Sequence, residues 1–181
     1  MKTKAAELGF VACGITDLGP SARAAALDHW LARGYGGNMR YLHRQAKKRK
    51  DLRLIDRVAT RAIVILDNYY YTEKAENARS PMIARYARST DYHSVTLNRI
   101  NVLADMLRTA GAKTARPYVD TGPVPERELA ERAGLGWIGK NTMLLRPGVG
   151  SWFVIGSIFT DLSLEIDPPF STDHCGSCTK C

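Results

Sequence analysis

Apolar residues along the chain fall in short clusters separated by glycine, proline and charge, and the clusters alternate between helical and strand-like periods. A short helix is predicted from about Thr3 to Leu8, then a strand through Phe10, Val11, Cys13 and Ile15, with Gly9 allowing the turn. Pro20 and Ser21 start a helix through Ala24, Leu27, Trp30 and Leu31, which Gly34, Gly36 and Gly37 end. A second helical piece follows through Met39, Leu42 and a basic run, and the stretch Ala62 to Leu66 reads as a largely buried strand. Tyr69 to Pro81 has little periodicity and is expected as a loop whose aromatic start lines a cavity.

Further on, Asp91 is placed to cap a helix running to about Thr109. Its predicted apolar stripe is Leu97, Ile100, Val102, Leu103, Met106 and Leu107, and Gly111 terminates it. Tyr118 and Val119 suggest a strand ending at Asp120, Pro125 to Ala133 a short helix ending at Gly134, and Met143 to Leu145 and Ser151 to Phe159 two more strands. This alternation favours an α/β or α+β layered domain.

Composition narrows the class. With 181 residues and 45% apolar content, the chain is one large domain or two small ones, able to bury roughly two-thirds of its unfolded surface. No apolar run approaches the roughly 20 residues that cross a bilayer, and the start lacks a secretory pattern, so a cytoplasmic protein with no membrane partner is expected. The net charge of +8 is unevenly placed: residues 1–90 carry 17 basic and 8 acidic side chains, residues 91–181 carry 9 and 10. The densest part runs from Arg44 through Lys47, Lys48, Arg49 and Lys50 to Arg53, Arg57 and Arg61. Such a run can follow a phosphate backbone, or it can be a solvated helix face.

The sharpest chemical signal is Cys175-Gly-Ser-Cys178-Thr-Lys-Cys181. Three thiols at three-residue intervals match the first three cysteines of a bacterial iron–sulfur run, one ligand short of a four-iron cluster. Zinc held by these thiols with His174 and unmetallated cysteines are the alternatives. Cys13 stands apart and reads as a small buried hydrophobe.

Asp120 sits at a strand-to-loop transition, where a carboxyl can project into a cleft as a proton donor or simply cap the helix that follows. Arg127 can hold an anionic ligand or pair with Glu131 four residues on. His93 at a helix start reads as structural or catalytic. Trp137, Lys140, Asn141, Ser151 and Trp152 offer flat apolar surface and donors suited to a large polar cofactor, or to a packed turn. Gly134-x-Gly136-x-x-Gly139 follows a helix instead of a strand, and Asn141 stands where a phosphate-binding loop needs Ser or Thr, so these glycines read as turn or close-approach positions near a ligand.

The order of motifs resembles the epoxyqueuosine reductase family. The matching pieces include Trp30-Leu-Ala-Arg-Gly-Tyr-Gly-Gly-Asn-Met39, Ala84-Arg-Tyr-Ala-Arg88, Asp91-Tyr-His93, Val119-Asp-Thr-Gly-Pro-Val124, Ala133-Gly-Leu-Gly-Trp-Ile-Gly-Lys-Asn-Thr142, Gly150-Ser-Trp-Phe153 and the cysteine segment. The resemblance implies a cobalamin-binding catalytic domain of nitroreductase-like or reductive-dehalogenase-like architecture over residues 1–165. Residues 166–181 would begin a ferredoxin-like domain that carries two [4Fe-4S] clusters when complete. It implies two-electron reduction of epoxyqueuosine to queuosine at the wobble position of tRNA, with tRNA and an electron-donating reductant as partners.

By the same resemblance Asp120 is the proton donor, and Arg127, Lys140, Met143 and Val154, with His93, Asn141 and Ser151, belong to the cofactor site. Cys175, Cys178 and Cys181 correspond to ligands of the first cluster. Two departures stand out: Ser157 replaces an expected Glu, and the chain stops before the second cysteine run, which suggests an incomplete portion of the protein. A noncatalytic cobalamin or iron–sulfur carrier and a basic RNA-binding module with zinc are the rival readings. The oligomeric state stays open, a monomer included.

Overall fold

The structure is a computed structural model in which residues 1–72 and 83–181 are described. The expected loop from Tyr69 to Pro81 therefore lies mostly outside the described residues. At the centre is a four-stranded sheet of β1 (Ala12–Asp17), β2 (Arg61–Asn68), β3 (Ala115–Val119) and a strand at Phe153–Thr160. A two-stranded hairpin of β4 (Trp137–Ile138) and β5 (Leu144–Leu145) precedes that last strand, which is therefore β6. The order across the sheet is β1-β2-β6-β3, with every neighbouring pair antiparallel.

β2 reads as an unbroken apolar run because both of its faces are covered. Ala62, Val64 and Leu66 face one core, Ile63 and Ile65 face the other, and all five are fully buried. Each such Ile, Val or Leu contributes about 1.5–3 kcal/mol by leaving water. One face is closed by α1 (Lys2–Glu7) and α4 (Tyr92–Thr109), through Ala5, Ile100, Leu103 and Leu107. The other is closed by α5 (Glu126–Arg132), through Leu129, Ala130 and the following Ala133. The architecture is thus a mixed α/β layer fold built on an antiparallel sheet.

α4 begins where the sequence places its cap: Asp91 accepts from the His93 backbone N–H. Its buried stripe is Thr96, Ile100, Leu103, Ala104 and Leu107, whereas the expected Val102 and Met106 stand exposed at 41% and 39%. At about 100° per residue, positions 102 and 106 rotate away from the face that 100, 103 and 107 share. Gly156 on β6 lets α4 lie close, since a Cβ there would overlap Ile100 Cδ1 and press on Ile65 Cδ1 at 3.2 Å.

α2 (Ala24–Ala32) and α3 (Arg40–Lys50) form a satellite layer. α2 buries only Leu31 and α3 buries nothing, so the pair is held by polar ties to the body. Lys50 pairs with Asp28 at 2.8 Å and joins the two helices, while Arg23 pairs with Glu131 of α5 at 2.8 Å and Ser21 Oγ donates to Glu128 at 2.5 Å.

Gly136 and Gly139 are close-approach positions as predicted: within the chain they are met by Leu145, by its backbone and side chain respectively. Beyond β6 the chain forms no helix or strand and folds back along the edge strand β1. There Asp167 N–H donates to the Ile15 carbonyl at 2.9 Å, and Ile15 N–H donates to Asp167 Oδ2 at 2.8 Å. These bonds occupy part of an edge that would otherwise be open to pairing.

Candidate active site

Asp120 directly follows β3 and adopts the left-handed conformation, with φ of 54°. Asp tolerates this region better than most residues, and the surrounding bonds hold it there. Its backbone N–H donates to Glu126 Oε1 at 2.8 Å, spanning the turn between β3 and α5. Its carboxylate Oδ2 accepts from the Tyr92 hydroxyl at 2.8 Å. His93, stacked on Tyr92 at 4.1 Å, brings Nε2 to 3.9 Å from the same oxygen. The other imidazole nitrogen, Nδ1, is 2.8 Å from Asp91 Oδ1. That bond, with the His93 backbone N–H, holds the Asp91 carboxyl below its ordinary range. Burial and donation to Asp120 push the Tyr92 phenol up, so it stays a hydrogen-bond donor.

Of these groups Asp120 and Glu126 border a cavity of about 670 Å³, within the range of small-molecule sites, whereas Tyr92 and His93 do not line it. Asp120, Glu126 and Arg127 line it together with Leu27, Trp30 and Val124. Glu126 is half-buried, and desolvation raises its carboxyl to about 7 against the partial relief of Asp120 N–H, Arg49 and Arg127. Besides the buried Glu128, the cavity therefore carries two carboxyls in different settings: one accepting a phenol hydrogen bond at the surface, the other near half-protonated at neutral pH.

The short helix α5 fixes the walls through nearly every charged side chain it has. Glu128, only 4% exposed, accepts from Ser21 Oγ at 2.5 Å and from Ala22 N–H at 2.8 Å. Glu131 pairs with Arg23 at 2.8 Å and accepts from Ile138 N–H at 3.2 Å. Arg132 reaches Asp17 and the Gly19 carbonyl. Arg127 donates to the Thr142 carbonyl and Glu131 pairs with Arg23, so of the two readings of Arg127 the pairing with Glu131 is not the one formed.

The other sequence-predicted residues separate. Asn141 turns its Oδ1 onto the Met143 N–H at 3.1 Å, closing its own hairpin loop. Met143 is exposed, and neither it nor Ser151 or Val154 lines the cavity. Val154 lies opposite Asp67 on the face that meets α4. There Asp67 accepts from Thr96 Oγ1 at 2.6 Å and pairs with Arg99. Lys140 points to the cysteine segment, donating to the Gly176 carbonyl at 2.7 Å and the Cys178 carbonyl at 3.1 Å. Ser157 is fully buried on the face of Phe153 and Phe159, and its hydroxyl has no hydrogen-bond partner among the described residues.

Cys175 is half-buried while Cys178 and Cys181 are exposed. Asp173 and the Cys175 carbonyl order the turn by accepting from the N–H groups of Cys175 and Cys178. Among the described residues no three His, Cys, Asp or Glu side chains converge on a point that could hold a metal ion. His174, the fourth zinc donor considered, packs its ring on Trp137 at 4.8 Å. Cys13 is half-buried in β1, and desolvation lifts its thiol to about 11, in keeping with a structural role. No helix among the described residues is long and apolar enough to cross a membrane.

Sequence reasoning missed Glu126 as a site group. A Glu in the first turn of a helix is explained by the helix dipole alone, and its burial arises from residues far away in sequence.

The sheet with helices on both faces is an architecture this chain has in common with the reductive dehalogenases. A reductive dehalogenase structure described as suggesting a mechanism for B12-dependent dehalogenation aligns with a TM-score of 0.60 and 22% identity, over 94% of this chain and 20% of that one. Beyond that shared fold, the chain matches the epoxyqueuosine reductase family. The family model described as epoxyqueuosine reductase QueG, DUF1730 covers residues 49–121. The epoxyqueuosine reductase of Xanthomonas campestris pv. campestris is 39% identical over 188 residues, which take in 100% of this chain and 53% of that protein. A crystal structure of epoxyqueuosine reductase with an epoxyqueuosine-modified tRNA-Tyr stem loop aligns with a TM-score of 0.86 and 26% identity, over 98% of this chain and 48% of that one. The chain spans about half the length of the curated relatives it matches.

Proposed function

We propose that this chain is the substrate-side portion of an epoxyqueuosine reductase, acting in the cytoplasm on the wobble nucleoside of tRNA. The observation that carries the reading is Asp120 at the border of a 670 Å³ cavity, its carboxyl held by Tyr92 and its backbone N–H by Glu126. The likeness to a reductase solved with a modified tRNA stem loop supports the choice of substrate. So does α3, whose Arg40, Arg44, Lys47 and Lys48 are all exposed to follow a phosphate backbone.

The cavity fits an extended cofactor in kind. Leu27, Trp30, Val124 and Ile138 provide apolar wall, and Arg23 and Arg127 provide donors for an amide-rimmed ring such as cobalamin. Asn141 and Met143, which flank the lining Thr142, are assigned to its outer rim. When bound, cobalamin supplies the two reducing equivalents. Lys140 is assigned to the cysteine segment, which would begin the ferredoxin-like part at residues 166–181 and supply Cys175, Cys178 and Cys181 to a [4Fe-4S] cluster after rearrangement. Iron and sulfide analysis of the complete protein prepared anaerobically tests that assignment.

Removing the epoxide oxygen as water consumes two electrons and two protons; two C–O bonds break and a C=C bond forms. The chain's part is to supply protons where negative charge develops on oxygen. Tyr92 fixes one oxygen of Asp120, leaving Oδ1 to carry a proton to the departing oxygen. Glu126, near half-protonated at neutral pH, is the second acid in the same cavity. Asp120→Asn in the complete protein is expected to keep cobalamin and tRNA bound, by absorbance and filter binding, and to lose turnover by orders of magnitude. Normal turnover in that variant rejects Asp120 as the donor.

A further inference from the structure

A file of aromatic rings runs from the surface to Asp120. Tyr70 tilts against Trp152 at 5.4 Å, and Trp152 meets Tyr69 edge-on at 6.0 Å. Tyr69 meets Tyr86 at 6.2 Å, and Tyr86 meets Tyr92 at 6.0 Å, the ring whose hydroxyl donates to Asp120. The Arg85 guanidinium lies over both Tyr70 and Trp152, at 4.9 and 5.0 Å from the ring centres. Despite this packing, Tyr70, Tyr86 and Trp152 remain 47%, 47% and 42% exposed.

Several large rings left together in water mark a contact surface more than a core. Their edge-on contacts and the cation fix the rings in place, so little freedom is lost when a flat partner arrives. A lipid or greasy peptide would call for aliphatic surroundings. Here a cation is part of the cluster itself, the Arg85 guanidinium lying over two of its rings. Flat, π-faced and negatively charged together describe an unpaired nucleotide.

We propose that Tyr70, Trp152 and Tyr86, with Arg85, form a stacking platform for unpaired nucleobases flanking the nucleoside presented to Asp120. The platform deepens the reading above, that the substrate is RNA. It adds a recognition mode independent of the phosphates, in which bases next to the reacting one are held by ring stacking.

The test uses the full-length protein with a short unmodified single-stranded oligoribonucleotide and an abasic oligomer of equal length. The base-containing oligomer is expected to bind about tenfold more tightly and to quench tryptophan emission. Trp152→Ala and Tyr70→Ala are each expected to bring its affinity down to the abasic level, while Trp152→Phe keeps most of it. Thermal midpoints show whether each variant is folded, and Tyr70→Ala carries the test if Trp152→Ala is not, undiminished binding by it overturning the platform. Equal binding of the two oligomers by the unaltered protein overturns the platform, as does undiminished binding by a folded Trp152→Ala. Neither epoxide nor cobalamin takes part, so failure of turnover leaves this result standing. Turnover without base-dependent binding sinks the platform alone.

Discussion

Asp120 shows how one residue's role depends on neighbours that the chain brings in from elsewhere. Its left-handed backbone is pinned by Glu126 from α5, and its carboxylate by Tyr92 from α4. Glu126 meets a cost in this arrangement, because its raised carboxyl takes up protons in the folded state that the unfolded chain releases. The stabilisation from neutral Glu126 is complete below the unfolded value of 4.5 and is lost as pH rises through about 7. Glu126→Gln keeps an acceptor for the Asp120 N–H and removes the ionisation. Denaturant midpoints at about pH 5 and about pH 8 should therefore show the variant gaining on the unaltered protein at the higher pH. Parallel profiles would show that burial of Glu126 does not carry the shift.

At the scale of elements, the decisive contacts are close approaches and polar straps. α4 is set against the sheet by the missing side chain at Gly156 and by Asp67, which ties β2 to Thr96 and Arg99. Gly156→Ala puts a methyl against Ile100 and Ile65, and is expected to destabilise by about 1–3 kcal/mol. That corresponds to roughly 2–4 °C of melting temperature per kcal/mol in a chain of this size. Ile100→Val should recover part of the loss, and a double-mutant cycle measures the coupling. Additivity of the two changes would mean that helix and sheet do not meet there.

Over the whole molecule, most of the positive charge lies outside the cavity. The positive excess is in the first half, concentrated on the solvated α3, of which Arg49 reaches the cavity, whose carboxyls come from residues 120, 126 and 128. Such a division suits a polyanion held by one region while a small part of it is processed in another. Arg44→Ala together with Lys48→Ala is expected to lower the slope of log affinity against log salt for tRNA by about 1.4–1.8, with the cavity unchanged. A slope equal to that of the unaltered protein assigns these side chains to the solvated face alone.

Local pattern by itself determined the strands and helices. Periodicity, Asp91 as a cap and Pro125 as a helix opener are short-range effects, so β2, α4 and α5 fall close to where the sequence places them. The motif order likewise pointed to the family, and Asp120 was visible as the end of a strand. Tertiary structure alone decided the rest, because burial and partner choice depend on what long-range folding brings alongside. It directed Lys140 to the cysteine turn, gave Glu131 to Arg23 instead of Arg127, and buried Ser157 with an unpartnered hydroxyl. It also raised Glu126 as a second acid and lined up the aromatic file, five rings drawn from three segments of chain that no sequence period relates.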